Sequence, residues 1–279
     1  MTEGHFMARP QFLTITANDV DFRVALCGPQ RATDTLVCFN GVGLALEALL
    51  PLAKELHKHR VVLIDAPGIG GSSEAHGPYR LSHLSASVAK VLDELGFDRT
   101  HLFGVSWGGA LAQQFAYQYP ERCVSLVLAA TSSGLLSITG NLGLFAQFTS
   151  PKKLLNLSFL SKISPELTTA GRAAVSTHSI LFGAAMKSLR PKGYVYQLMA
   201  MTGWTSWPWL PKIKTPTLIL LGKKDPLMPP TNGRIICGRM QNARLDVLPY
   251  GHLFVYTQPF ETARKIDEFL SSIQAAAVA

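Results

Sequence analysis

A chain of 279 residues, 47% hydrophobic and 16% charged, can bury roughly 75% of its unfolded surface in one large core without staples. No stretch of about 18 clean apolar residues exists, which argues against a membrane span, and the N-terminus MTEGHFMARPQF lacks the apolar core and cleavage pattern of a signal peptide. A cytoplasmic protein is expected. The net charge of +8 is confined to one stretch. Between Gly134 and Thr215 stand nine Lys/Arg and one acid, Glu166, while the remainder balances at 17 of each sign. That stretch also holds Phe145, Phe148, Phe159, Phe182, Trp204, Trp207 and Trp209. The positive residues are scattered and no RNP, KH or zinc-finger pattern accompanies them, so nucleic acid is not expected as a partner. The four cysteines (Cys27, Cys38, Cys123, Cys237) show no CxxC spacing and are expected as free, buried thiols.

In chain order, FLTITA (12–17) and VDFRVALC (20–27) read as strands parted by the turn-prone Asn18-Asp19. TLVCFN (35–40) is a buried strand, followed by a helical pattern over 44–60. VVLID (61–65) is another strand, ending in the loop APGIGGSSEA. Leu81, Leu84, Val88, Val91, Leu92 and Leu95 have helical spacing, stopped by Gly96. Then come the strand HLFGV (101–105), the sequence GVSWGG, a helix closed by Pro120, and the strand CVSLVLAAT (123–131). Such alternation predicts a mostly parallel sheet flanked by helices on both faces. From 134 to 205 the rhythm breaks into short helices and loops. It resumes with the strand TPTLILLG (215–222), a helix over 231–240, the strand ARLDVLP (243–249) and a closing helix near 260–274. The expected organisation is a core of residues 1–133 and 206–279 with a helical cap, 134–205, inserted into it.

The chemistry centres on GVSWGG. A GxSxG match arises by chance about 0.1 times in a chain this long, but Ser106 falls between a strand and a helix, the setting of a nucleophile elbow. Gly104 and Gly108 let neighbouring backbone approach the strained serine, Gly109 lets the helix pack close, and the Trp107 N–H at the helix start points where an oxyanion forms. A serine hydroxyl needs a base. Of eight histidines, His252 in PYGHLF follows the last predicted strand, whereas His5, His57, His59, His76, His83, His101 and His178 read as surface or packing residues. Asp225, in the proline-stiffened loop LGKKDPLMPP, is the candidate carboxylate. Asp246 competes but lies inside a strand, and Asp65 is read as fixing a loop beside the site. The order Ser106, Asp225, His252, each in a loop after a strand, is the order of α/β-hydrolases. The second oxyanion donor is expected from FNGVG, at the Val42 N–H, with Gly41 and Gly43 allowing the turn. Asn40, Phe145, Trp204, Trp207 and Leu253 are candidates for substrate contact.

FNGVG, DAPGIGGSS, GVSWGGALAQQFAYQYPERCVSLVLAAT, GWTSWPWL, LGKKDPLMPP and GHLF together resemble the intracellular medium-chain-length poly(3-hydroxyalkanoate) depolymerases, over about residues 12–270. Asn40, standing where most α/β-hydrolases carry the His of an HG motif, is consistent with this resemblance. It implies an α/β-hydrolase fold and a serine esterase that cleaves ester bonds between 3-hydroxyacyl units of a water-insoluble polyester. The residues themselves call for no metal or organic cofactor, as they contain no GxGxxG, Walker or HExxH pattern. The aromatic, basic cap suggests docking on the polyester granule through Lys152, Lys187 and Lys192. Alternatively, its tryptophans simply pack the cap onto the core. Other serine esterases or lipases, carbon–carbon bond hydrolases on soluble substrates, and a non-catalytic ligand-binding protein remain open. Dehalogenases and epoxide hydrolases carry Asp, and polyester synthases Cys, where this chain has Ser106.

Overall fold

The computed structural model describes residues 9–30, 32, 34–135, 137–141, 143 and 190–278. Phe145, Phe148, Lys152, Phe159, His178, Phe182 and Lys187 lie outside them, as do His5 and most of the expected cap. Eight strands form one sheet. β1 (Gln11–Ala17) and β2 (Val20–Cys27) make an antiparallel hairpin whose turn residues, Asn18 and Asp19, both take positive φ, a conformation their short polar side chains tolerate. β2 pairs antiparallel with β4 (Arg60–Ile64); from there β3 (Thr35–Phe39), β5 (Thr100–Val105), β6 (Cys123–Ala129), β7 (Thr217–Gly222) and β8 (Ala243–Leu248) continue in parallel. The order across the sheet is β1-β2-β4-β3-β5-β6-β7-β8. Strands β3 to β7 are buried along almost their whole length, as expected of parallel strands covered on both faces, which read as near-continuous apolar runs.

Two apolar layers seal the sheet. On one face α2 (Leu81–Glu94) and α3 (Trp107–Gln118) pack Leu84, Val88, Leu111 and Phe115 against Phe22, Val37, Leu102 and Leu128. On the other, α1 (Leu50–Glu55) and the C-terminal helix α7 (Pro259–Val278) press Leu52, Ile266 and Leu270 onto Leu36, Leu63 and Phe103. Each such Leu or Phe contributes about 1.5–3 kcal/mol on burial.

Among the described residues element types agree with the sequence reading, while several boundaries shift for visible reasons. The helical pattern over 44–60 divides into a 3-10 turn (Leu46–Leu49) and the shorter α1, where Pro51 occupies the start of the new helix. The strand expected to run to Thr131 stops at Ala129, since Ala130 takes φ 46° and bends the chain away. Three further helices are α4 (Pro191–Met201), α5 (Thr231–Cys237) and the short α6 (Phe254–Thr257). An isolated antiparallel bridge joins Gly134 to Thr205, so the two ends of the segment read as an insertion meet at one point. Its described parts then diverge. Residues 138–141 lie along the loop after β7, with the Asn141 N–H donating to Pro226 O (2.7 Å) and the Ile138 N–H to Asn232 Oδ1 (2.9 Å). Helix α4 crosses to the opposite side, where Gly193 meets Gly68 so closely that a β-carbon on Gly193 would stand 2.2 Å from Gly68 O. No helix among the described residues is long and apolar enough to cross a membrane.

Candidate active site

Ser106 sits at the C-terminal end of β5, where the chain reverses into α3, with φ 53° and ψ −113°. A non-glycine residue held there stores about 1–3 kcal/mol of strain. The surroundings enforce the conformation. The Ser106 N–H donates to Ala129 O (2.9 Å), and its carbonyl accepts from the Gly109 N–H (3.0 Å) and the Thr131 hydroxyl (2.7 Å). The three glycines leave no room for a side chain. A β-carbon at Gly104 would lie 2.2 Å from Gly108 O, one at Gly108 2.2 Å from Phe39 O, and one at Gly109 2.6 Å from the Thr131 side chain. The serine is thereby presented half-exposed, in a turn otherwise buried.

Asp225 and His252 form a buried pair, Oδ2 to Nδ1 at 2.8 Å. The other carboxylate oxygen, Oδ1, accepts the Leu227 and Met228 N–H groups, both at 2.8 Å. Those two amides fix the carboxylate within the proline-rich loop. The remaining oxygen is free to take the imidazole Nδ1–H, which leaves Nε2 unprotonated, the tautomer a general base requires. Asp246, the competing carboxylate, stays on β8 and is paired with Lys265 at 2.9 Å.

The segment carrying His252 then crosses the sheet. Its Tyr256 hydroxyl, on α6, donates to Asn40 Oδ1 (2.7 Å) at the end of β3, past β7, β6 and β5. The imidazole is therefore carried on a strap anchored to the Asp225 loop on one side and to the Asn40 loop on the other, spanning the strand end that bears Ser106. The Ser106 hydroxyl is bonded to none of the described residues. Nucleophile–base contacts of this kind often tighten only around substrate.

The loop after β3 shows which amide is available to an oxyanion. The Gly41 N–H is occupied by Asn40 Oδ1 (2.9 Å) and more weakly by the Tyr256 hydroxyl (3.4 Å), and the Gly43 N–H by Gln197 Oε1 (2.7 Å). Between them, the Val42 N–H has no partner among the described residues, nor has that of Trp107. A β-carbon on Gly41 would fall 3.9 Å from Ser106 Cβ, so this loop lies directly against the nucleophile. Asp65 anchors the loop's far end: Oδ1 accepts the Leu46 N–H (2.7 Å), Oδ2 accepts the Gly71 N–H (3.0 Å), and Arg23 stands at 3.5 Å. Burial pushes the Asp65 carboxyl up to about 6, against the lowering effect of those two N–H groups and of Arg23.

The candidates for substrate contact divide. Asn40 is consumed by the loop itself, its Nδ2 donating to Ala45 O (2.7 Å) and its Oδ1 accepting from Gly41 and Tyr256. Those bonds shape the loop after β3. Leu253 follows His252 into the core. Trp204 is placed elsewhere. Its indole donates to Gln114 Oε1 (2.9 Å) and meets Trp209 edge-on, while Trp209 stacks on Tyr117 at 4.5 Å. These are contacts in the second and third turns of α3, and Gln114 lies about 12 Å along the axis from Ser106 at 1.5 Å per residue. Trp207 lies against the Arg239 guanidinium, 4.5 Å from its ring centroid. Trp204 thus packs the end of the 134–205 segment against α3, while Trp207 and its partner Arg239 both belong to the expected core. Lys192, one of the three lysines considered for granule docking, is paired with Glu74 at 3.1 Å.

The other histidines and the cysteines stand apart from this centre. His59, expected on a polar helix end, is instead buried beside Asp267 (2.8 Å), and His101 is buried against Ser125 (2.7 Å). Cys27, Cys38 and Cys123 are buried free thiols; burial raises Cys27 to about 11 and Cys123 to about 12, which leaves them protonated and unreactive at neutral pH. Two residues in contact with the loop after β3 carry no signal in the sequence: Tyr256, four positions after His252, and Gln197, on α4.

A mostly parallel eight-stranded sheet with a strained serine elbow and a buried Asp–His pair at its C-terminal edge defines an α/β-hydrolase. A family model described as the alpha/beta hydrolase fold matches residues 34–155. A poly(3-hydroxyalkanoate) depolymerase from Ectopseudomonas oleovorans is 38% identical, with 96% of this chain and 95% of that protein covered. A 3-oxoadipate enol-lactonase from Acinetobacter baylyi is 28% identical over 88% of this chain and 91% of its own length. Among solved structures, a hydrolase from Pseudomonas aeruginosa PA01 superposes with a TM-score of 0.79 at 26% identity, covering 94% of this chain and 98% of that one. The chain belongs to the poly(3-hydroxyalkanoate) depolymerase family of α/β-hydrolases.

Proposed function

We propose that this protein is an intracellular serine esterase that degrades poly(3-hydroxyalkanoate) to 3-hydroxy acids through an acyl-Ser106 intermediate. The observation that carries the reading is the Asp225–His252 pair at 2.8 Å, its carboxylate fixed by two amides and its imidazole held over the sheet edge that presents Ser106. His252 Nε2 takes the Ser106 proton as the hydroxyl oxygen attacks the ester carbonyl. The Val42 and Trp107 N–H groups receive the negative oxygen of the tetrahedral intermediate. The imidazolium, held by Asp225, returns its proton to the departing alcohol, which leaves the acyl group on Ser106. Water, deprotonated by the same Nε2, then attacks the acyl-enzyme; the tetrahedral adduct collapses, the proton returns to Ser106, and the 3-hydroxy acid leaves.

The polymer as substrate is supported by the 38% identical depolymerase. Residues 134–205 act as a cap whose described ends brace the two sides of the site, one on the Asp225 loop and one on the oxyanion loop. The enzyme works in the cytoplasm at the granule surface. The test has two arms. Covalent labelling by a fluorophosphonate is expected to map to Ser106, and Ser106→Ala to lower turnover by about 10⁴-fold or more; retention of more than about a thousandth of wild-type turnover defeats the nucleophile assignment. Clearing of a medium-chain polyester suspension, compared with hydrolysis of a p-nitrophenyl ester, reads the substrate. Ester hydrolysis without clearing transfers the protein to the soluble-ester hydrolases.

A further inference from the structure

The two candidate oxyanion donors lie on different parts of the core, one after β3 and one after β5, yet a single residue of the insertion reaches both. Gln197 projects from α4 and is 1% exposed. Its side-chain Oε1 accepts the N–H of Gly43 at 2.7 Å, the residue next to Val42. Its backbone carbonyl accepts the indole N–H of Trp107 at 2.9 Å. Gly43 has φ 73°, a region where glycine has no side chain to hold it, so an acceptor on its N–H restrains the peptide that aims the Val42 N–H. Trp107 is the first residue of α3, and its ring, fixed by Gln197, sets the orientation of the first helical turn. Helix α4 is itself held on the core by the Gly193–Gly68 crossing and by the pair Lys192–Glu74.

We propose that Gln197 is a positioning residue that locks both oxyanion donors in register, so that the catalytic site is complete only with α4 of the insertion seated on the core. This rests on the serine-esterase reading above. Gln197 touches no reacting atom and acts through Gly43 and Trp107. Its loss is therefore expected in the transition state rather than in substrate binding.

The experiment compares Gln197→Met, which keeps length and removes the acceptor, with Gln197→Glu, which keeps an acceptor oxygen toward Gly43. Deleting an oxyanion donor outright costs about 10²–10³ in kcat, so releasing the Gly43 N–H and misaiming the Val42 donor beside it, while the backbone carbonyl stays on Trp107, is expected to lower kcat on p-nitrophenyl hexanoate by about 10–100-fold in Gln197→Met. KM is expected within about threefold of wild type, because the interaction is realised in the transition state. The inhibition constant of an alkyl boronic acid, whose adduct with Ser106 places an oxygen in the oxyanion site, is expected to rise by the same factor as kcat falls. Gln197→Glu is expected to recover most of the loss. Kcat within about threefold of wild type in Gln197→Met, a loss carried by KM, or equal losses in both variants each overturn the proposal. Should Gln197→Met not fold, Gln197→Asn, whose amide stops one methylene short of Gly43, carries the same comparison. Fluorophosphonate labelling of the wild type separates the two levels. No label at Ser106 sinks the esterase reading, whereas a labelled wild type with unaffected variants sinks only the role of Gln197.

Discussion

The nucleophile elbow and the oxyanion loop lie against each other, but they are built in opposite ways. The elbow is held by backbone and by missing side chains: Gly104, Gly108 and Gly109 are within five residues of Ser106, and each faces another main chain or Thr131. The oxyanion loop is held by side chains, its own Asn40 and others that arrive from far along the chain. Tyr256 reaches Gly41 from 215 positions away, Gln197 reaches Gly43 from 154, and Asp65 reaches Leu46 from 19. A turn enforced by local sterics cannot relax without unfolding its strand and helix. A loop enforced by distant acceptors can shift while the fold survives. Substitutions at the elbow should therefore cost the structure, and substitutions at the braces should cost the chemistry.

The largest expected effect is at the elbow. Gly104→Ala places a β-carbon 2.2 Å from Gly108 O, backbone against backbone, and is expected to destabilise by about 4 kcal/mol or more, in the range reserved for overpacked core sites. Urea unfolding reads it; a variant with wild-type midpoint and activity breaks the claim that sterics set the elbow.

This contrast also explains what the sequence could and could not disclose. Ser106, Gly104, Gly108 and Gly109 are adjacent in the chain, so their pattern is a local signal. Asp225 and His252 stand out because each follows a strand in an order of loops that the sheet topology fixes. The alternation of strands and helices was legible for the same reason. Gln197 carried no signal, since a glutamine inside an amphipathic helix resembles any other until the helix is seated against Gly43. Trp204 and Trp207 carried an ambiguous one. Large aromatics in an inserted segment suggest a substrate wall, but their partners are Gln114 and Arg239, set by tertiary packing that spacing does not encode.

Asp65 sharpens the comparison through pH. Its folded-state value, about 6, lies above the ordinary 3.8 because burial disfavours the charge. Between these two values the folded state binds more protons than the unfolded one, so the contribution of this group to stability is complete below about pH 4 and is lost as pH rises through 6. The difference in unfolding free energy between wild type and the non-titrating Asp65→Asn is expected to shrink by up to about 3 kcal/mol over that window. Denaturant midpoints for both proteins at pH 4 to 7 test this; a difference that grows with pH reverses the sign and removes burial as the cause.

The smallest effect is expected at the other brace. Tyr256→Phe removes the hydroxyl that bonds Asn40 and Gly41 but leaves the ring in the core and Asn40 Oδ1 still on the Gly41 N–H. A loss of about tenfold in kcat, or 1.4 kcal/mol, with stability changed by about 1 kcal/mol, is expected. A larger loss of stability than of turnover would show that the oxyanion loop, like the elbow, belongs to the folding framework.

The bridge between Gly134 and Thr205 means that the chain departs from the core and returns to it at adjacent points. Such a segment is a natural unit of exchange: a relative's corresponding stretch could be spliced in at those two residues without disturbing a strand. The graft would carry one condition inward from the rim. If Gln197 positions the oxyanion donors as proposed, a donor segment without a hydrogen-bond acceptor at its place would yield a slower enzyme whatever substrate the new segment admits.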